Sequence, residues 1–503
     1  MSGPVLLPDD PDDRALRALV HPPDWVNPMP RGRYHLVVIG AGTAGLVTAA
    51  AAAGLGARVA LVERALMGGD CLNVGCVPSK GLLRAAHATA DARAAAAFGA
   101  RTGDVAPDFG AAMRRLRGLR AALAPTDSAE RFCGLGVDVF FGSARFVAAD
   151  AVEVDGRRLD FRRAVIATGA RAAGLPVPGL ADAGFLTNES VFTLTTPPAR
   201  LVVIGAGPIG CELAQAFARL GVAVTMVSLD PRLVPRDDAD ASGVLAARFE
   251  HEGIRTALGV RLVRVERRGD AHAVLFDRGR GVEEAVGDQL LLAVGRAPNV
   301  EDLDLEQAGI RREPAGVVVD DRLRTTNPRV YAAGDVCSAY KFTHAADAMA
   351  RIVVQNALFL GRRKASALVI PWCTYTDPEI AHVGITADDA AACGAEVVTL
   401  TQPFAEVDRA RLDGATDGFA RVHVAARSGK ILGATLVARH AGETIGEVAL
   451  AMTHGLGIGA LGATVHPYPT QAEALRKLAD AWRRRALTPL ARRVFGAWFR
   501  LWG

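Results

Sequence analysis

At 503 residues the chain is long enough for two to four domains, each with its own core. Half of its residues are hydrophobic, only 6% are aromatic and the net charge is +4, which excludes disorder and argues against nucleic acid as a partner. Seven cysteines, mostly scattered, do not make a secreted disulfide framework.

Residues 1–30 carry Asp9, Asp10, Asp12 and Asp13 and lack an apolar signal-peptide stretch. They are expected to form an N-terminal extension over the surface of a cytoplasmic protein. The uncharged run from Leu36 to Ala57 has the length of a membrane span. Glycines at 40, 42, 45, 54 and 56 punctuate it, however, and a strand, a turn and a helix explain them better. The strand is His35-Leu-Val-Val-Ile39 and the turn Gly40-Ala-Gly42-Thr-Ala-Gly45, followed by an Ala-rich helix. A second apolar strand, Arg58-Val-Ala-Leu-Val62, ends at Glu63. Gly40 permits the tight turn, Gly42 lets backbone approach a pyrophosphate, and Gly45 lets helix and strand pack closely. The helix N-terminus offers free N–H groups to phosphates, and Glu63 can accept both hydroxyl bonds of a ribose.

The same device recurs at Leu201-Val-Val-Ile204, Gly205-Ala-Gly207-Pro-Ile-Gly210, a helix, and Val222–Val227. Glu63 lies 23 residues after Gly40, and Ser228 lies 23 after Gly205. Equal spacing implies two related dinucleotide folds, and two dinucleotides in one protein imply hydride passing between them. Ser228 stands where the first copy has its acid. Without a carboxylate to repel a 2′-phosphate the second site leans to NADPH, with NADH open. Arg232 and Arg236 either pair with that phosphate or are ordinary solvated loop arginines.

Directly after Glu63 comes Gly68-Gly-Asp-Cys71-Leu-Asn-Val-Gly-Cys76-Val-Pro-Ser-Lys80. Four residues separate the cysteines, and a helix start with Gly75 in the turn can bring the sulfurs together. A thiolate at a helix N-terminus near a cation has a lowered pKa and is a good nucleophile or soft-metal ligand.

This segment resembles the active-site signature of the class I pyridine nucleotide–disulfide oxidoreductases, a family that includes dihydrolipoamide dehydrogenase, glutathione reductase and mercuric reductase. Ala167-Thr168-Gly169 resembles the point where the chain leaves the FAD domain, and Gly295-Arg296-Ala-Pro298-Asn299 the point where it returns. Tyr331-Ala-Ala-Gly334-Asp335 resembles the second FAD fingerprint, whose Asp bonds the ribitol. The resemblance implies an α/β chain with two Rossmann-like dinucleotide-binding domains, for FAD and NAD(P), and a C-terminal α+β dimerisation domain. The expected division is 1–30 extension, 31–170 FAD domain (first part), 171–294 NAD(P) domain, 295–369 central FAD part, 370–480 dimerisation domain and 481–503 a basic aromatic tail. It also implies roles. Cys76 is the charge-transfer thiolate against the flavin, Cys71 the interchange thiol, and Lys80 pairs with Glu212 beside the flavin. A homodimer sharing its active sites across the interface follows from the family as well.

Disulfide reductases of this family end in HxHPTxxE, whose second His is the general acid–base. Here the segment reads His466-Pro-Tyr468-Pro469-Thr470-Gln-Ala-Glu473, which puts Tyr468 at the catalytic His position. A phenol with a pKa near about 10 is a poor proton shuttle at neutral pH. Reducing a thiolate-bound metal ion needs no such group, and mercuric reductases have a Tyr here. The chain therefore most resembles mercuric reductase, with Cys71 and Cys76 as ligands of the substrate Hg(II). No metal-binding domain falls within residues 1–30, and no second cysteine pair within 481–503. The alternatives are a disulfide reductase of dihydrolipoamide dehydrogenase type, a quinone reductase, and a non-catalytic flavoprotein that sequesters metal.

The tail combines Arg483, Arg484, Arg485, Arg492, Arg493 and Arg500 with Trp482, Phe495, Trp498, Phe499 and Trp502. Residues 482–503 fit either a peripheral membrane helix or a helix packed on the protein's own dimer. Pro489 and Gly496 interrupt a long helix.

Overall fold

The computed structural model describes residues 6–359 and 361–503. It divides into two compact units. One holds the chain up to Leu229 together with Gly253–Leu368; the other holds Asp230–Glu252 and Val369–Gly503.

The first unit contains the first dinucleotide fold. Its sheet begins with β1 (Tyr34–Ile39), β2 (Val59–Glu63) and β3 (Val137–Phe141), and continues through the antiparallel β4 (Ala144–Ala148) and β5 (Ala151–Val154) to β6 (Arg157–Ile166). The order is β3-β2-β1-β6-β5-β4, with the strand Val330–Ala332 also pairing with β6. Pairings of β1 with β2 and β6, of β2 with β3, and of Val330–Ala332 with β6 are all parallel. In β1 every residue but His35 is buried, because side chains alternate between two covered faces. Leu36 and Val38 join the core with the helix Thr43–Gly54, whereas Val37 and Ile39 join the core on the other face. That helix is 12 residues long, and among the described residues no helix is long and apolar enough to cross a membrane.

A second parallel sheet has the order Arg255–Ala257, Ala223–Val227, Arg200–Ile204, Gln289–Leu292. A three-stranded antiparallel meander, Arg261–Gly287, follows it in the chain. The extension does more than run over the surface. Pro11–Val20 is a helix capped by Asp10, and Leu16 and Val20 are fully buried in the same core as Leu36.

The second unit is α+β. Its five-stranded antiparallel sheet runs Trp372–Thr374, Glu379–Gly384, Ile431–Ala438, Phe419–Ala425, Val397–Pro403. Helices Ala441–Thr453 and Glu473–Arg484 contribute Ile445, Val448, Leu475 and Leu478 to its core. A separate helix, Pro489–Trp502, begins at Pro489 with Thr488 as its N-cap, and it runs unbroken through Gly496, where the sequence implies an interruption.

Candidate active site

Both glycine turns have the geometry that their spacing implies. Gly40 has φ +101 and Gly205 φ +114, a region open to glycine. A Cβ on Gly45 would lie 1.8 Å from the Gly40 carbonyl oxygen, and one on Gly210 2.4 Å from that of Gly205, so each helix can approach its strand only through glycine. Gly42 and Gly207 are the N-caps of Thr43–Gly54 and Pro208–Arg219. A Cβ on Gly207 would meet nothing within 4 Å and would project into open space at that helix N-terminus. Glu63 closes β2, its two oxygens accepting from Ala41 N and Ala65 N at 2.7 Å each. Burial pushes its carboxyl upward, and each oxygen keeps a second acceptor position for a ribose hydroxyl. Ser228, buried, directly follows the matching strand Ala223–Val227 of the second fold. These residues fit two dinucleotides, one beside a carboxylate and one beside a hydroxyl. Arg232 donates to the Pro235 and Asp237 carbonyls at 3.1 and 3.2 Å, which braces it in its own loop.

The redox segment folds as a short helix, Gly69–Asn73, followed by a 19-residue helix, Cys76–Ala94. Cys71 lies in the first and Cys76 opens the second, with Gly75 as N-cap. A Cβ on Gly75 would sit 2.7 Å from the Asp70 carbonyl, so glycine closes the turn between the two thiols. The Cys76 thiol is held down to about 6. A hydrogen bond from Cys71 is the largest cause, opposed by burial and helped by Thr343 and the Lys80 charge. Cys71 moves the opposite way, because sharing its proton with Cys76, and then burial, disfavour a second thiolate. One thiolate and one thiol is therefore the resting state of the reduced pair at neutral pH. Lys80, one turn beyond Cys76, donates to Glu212 at 2.7 Å, and the Glu212 side chain is 6% exposed.

Further contacts organise this region. Arg296 is ion-paired to Asp70, the neighbour of Cys71, and its Nε lies 3.4 Å from Asp335. Burial raises the Asp335 carboxyl while the Arg296 and Lys341 charges oppose the rise. The exit and return segments meet: Thr168 Oγ1 donates to the Asn299 carbonyl at 2.7 Å, and the Asn299 amide N–H to the Gly169 carbonyl at 3.0 Å. Gly295 and Gly334 have φ +116 and +82, and a Cβ on Gly334 would press on Ala44 of the first phosphate-binding helix at 3.3 Å.

Two residues, Thr343 and Arg120, make contacts that no motif in the sequence carries. Thr343 Oγ1 lies 3.4 Å from Cys76 Sγ, at the first residue of the helix Thr343–Leu358. Arg120 donates to the Asn73 carbonyl, between the two cysteines, at 2.9 Å and to Asp13 of the N-terminal helix at 2.6 Å. Nothing in the spacing of residues 13, 73, 120 and 343 announces either contact. Only the tertiary fold brings them together.

In the second unit Tyr468 is 72% exposed and donates to Asp408 at 2.8 Å. That acceptor holds its hydroxyl proton more firmly than usual. His466 is bonded to Glu447 at 2.8 Å, its side chain 7% exposed. Glu473 opens the helix Glu473–Arg484 and accepts from Arg476 at 3.1 Å; its other oxygen is buried with no hydrogen-bond partner.

The pyridine nucleotide-disulphide oxidoreductase model matches residues 34–350, and the dimerisation domain of the same family matches residues 370–479. The chain belongs to the pyridine nucleotide-disulphide oxidoreductase family. This family member is an enzyme, an FAD-dependent NAD(P)H oxidoreductase with a redox-active disulfide. It is 35% identical to a mercuric reductase of Staphylococcus aureus over 89% of this chain and 82% of the relative. It is 34% identical to a dihydrolipoyl dehydrogenase of Thermus scotoductus over 91% and 99%. Among solved structures, a Cu(II) complex of the HOCl-induced flavoprotein disulfide reductase RclA from Escherichia coli superposes with a TM-score of 0.79 at 28% identity, over 90% of this chain and 100% of that one.

Proposed function

We propose that this family member is a homodimeric, cytoplasmic reductase of thiophilic metal ions, Hg(II) foremost, with NADPH or NADH as donor. The observation that carries the reading is the pairing of an intact Cys71/Cys76 dithiol with Tyr468 at the position of the family's general acid. His466, the nearest imidazole in sequence, is committed to Glu447. A disulfide acceptor leaves as a thiolate that must be protonated, and a phenol bonded to Asp408 is a poor donor for that step. A metal ion held by sulfur leaves no such group. Mercuric reductases among the relatives support the same choice.

In this reading the residues divide the work as follows. Gly40, Gly42, Gly45, Glu63, Arg296, Gly334 and Asp335 hold FAD; Gly205, Gly207, Gly210 and Ser228 hold the nicotinamide cofactor. Bound FAD supplies the two-electron relay from the nicotinamide to the cysteines. Cys76 stays ionised at neutral pH, with Thr343 and Lys80 steadying its charge, and Glu212 fixes the Lys80 ammonium. Cys71 is the thiol that meets the acceptor. Both sulfurs, once deprotonated, ligate the ion, and soft thiolates select such ions over hard ones. Tyr468, at the dimer interface, would reach the partner subunit's Cys71, with Glu473 bracing the motif. The overall change balances as Hg(II) plus NAD(P)H giving Hg(0), NAD(P)⁺ and a proton. Among the described residues no group of three or more His, Cys, Asp or Glu is placed to hold a resident metal ion.

The test is NADPH oxidation by the FAD-loaded protein with Hg(II) in excess thiol, against lipoamide and glutathione disulfide. Turnover that requires Hg(II), vanishes in Cys71→Ser and weakens in Tyr468→Phe is expected. Brisk turnover of either disulfide without Hg(II) would overturn the reading in favour of a disulfide reductase. The Thermus scotoductus relative makes that reductase the second choice.

A further inference from the structure

The helix Pro489–Trp502 has 14 residues and none is buried. At about 100° per residue, Leu490, Val494, Phe495, Trp498, Leu501 and Trp502 fall within an arc of about 140°. Arg492, Arg493 and Arg500 fall within an arc of about 100° on the opposite side. The apolar stripe is open, with Leu501 83% and Trp502 77% exposed. The Trp498 and Trp502 rings lie 5.8 Å apart on that face, one helical turn from each other. From residue 481 to 503 there is no Asp or Glu, against six arginines. Arg483 among them is tied to the Gly459 and Gly462 carbonyls and anchors the preceding helix, Arg485 lies over the Trp482 ring, and Arg500 donates to the Gly496 carbonyl of its own helix, none of which neutralises the arginine charge.

We propose that this helix docks in the plane of an anionic lipid bilayer, its Trp/Leu/Phe stripe sunk at the headgroup–acyl boundary and its arginines among the lipid phosphates. A 14-residue helix is about 21 Å long, too short to span the hydrocarbon core, so it lies along the surface. Trp prefers the polar–apolar boundary, and each arginine near an anionic surface adds to the attraction. A second copy of the helix could cover the apolar stripe equally well. It would, however, bring an equal set of arginines with no carboxylate to pair them, whereas an anionic bilayer satisfies both faces at once. The inference concerns the tail alone and stands whichever electron acceptor the enzyme uses.

The experiment uses the full-length, FAD-loaded protein and sedimentation with vesicles of phosphatidylcholine alone or phosphatidylcholine with phosphatidylglycerol. Three helix arginines predict a preference of about 100-fold for the anionic vesicles, falling steeply with added salt. Trp498→Glu with Trp502→Glu should abolish binding, and Arg492→Gln with Arg493→Gln and Arg500→Gln should remove the preference. Both variants alter exposed residues only and should keep wild-type NAD(P)H oxidation. Absence of binding, equal binding to both vesicle types, or binding unchanged in the variants would overturn the proposal. Self-association of the wild type that the tryptophan variant loses would overturn it too, by giving the stripe to a second copy.

Discussion

Replacing Asp13 by Ala removes one partner of an ion pair whose side chains are 0% and 4% exposed. Arg120 would keep its charge inside the protein with only the Asn73 carbonyl for that part of its guanidinium. Breaking a buried pair from one side costs about 3–5 kcal/mol, and Arg120 Nε already lacks a hydrogen-bond partner, which favours the lower end. Burial raises the Asp13 carboxyl even with Arg120 beside it, so the pairing recovers less than the desolvation cost of the carboxylate. A matched apolar pair, Asp13→Leu with Arg120→Met, should therefore regain most of the loss. In urea, with a slope of about 3 kcal/mol per M for a unit of this size, the single variant should lower the first unfolding midpoint by about 1 M. Because Arg120 also holds the Asn73 carbonyl between the cysteines, the single variant should slow reduction of the Cys71–Cys76 disulfide by NADPH. Flavin fluorescence follows unfolding, and stopped-flow absorbance follows reduction. A midpoint within about 0.2 M of wild type, or a double variant no better than the single, would refute this account of how the N-terminal helix is seated.

Alkylation of the reduced enzyme by iodoacetamide should show one reactive thiol with an inflection near 6, because the Cys76 thiolate is present above that pH and lost below it. Its stabilising contribution follows the same sign: complete above the ordinary thiol pKa of about 8.5 and lost as pH falls through about 6. The inflection is the readout, since the plateau rate falls as a thiolate becomes less basic, and Lys80→Met should move it upward. Gly207→Ala should raise the KM for NADPH several-fold while leaving the melting temperature unchanged, since its Cβ would enter only the cofactor cradle; an unchanged KM would place the nicotinamide cofactor elsewhere. Tyr468→His should raise lipoamide turnover at neutral pH by about 10-fold or more by restoring a proton donor, and an unchanged rate would mean proton supply does not limit that acceptor.

Both dinucleotide folds and the redox segment were legible in the sequence because each depends on local chemistry. Glycine is needed where Gly45 meets the Gly40 carbonyl, an acid or hydroxyl must end the second strand, and a helix must start at Cys76. Lys80 with Glu212 was reachable only through the family resemblance, and the contact of Thr168 with Asn299 was not expected, although each lies inside the exit or return motif. The burial of Leu16 and Val20 was not legible, because a short helix rich in Asp and Arg looks solvated until Arg117 and Arg120 neutralise Asp10 and Asp13 across more than 100 residues. Thr343 stayed hidden for a similar reason: its hydroxyl reaches Cys76 only through the way the helix Thr343–Leu358 is set against the redox segment. What the sequence determined by itself was everything a strand, a turn and a helix N-terminus impose on neighbouring residues. What the tertiary structure alone decided was which distant charges and hydroxyls surround the thiols, because those contacts join residues with no shared local geometry.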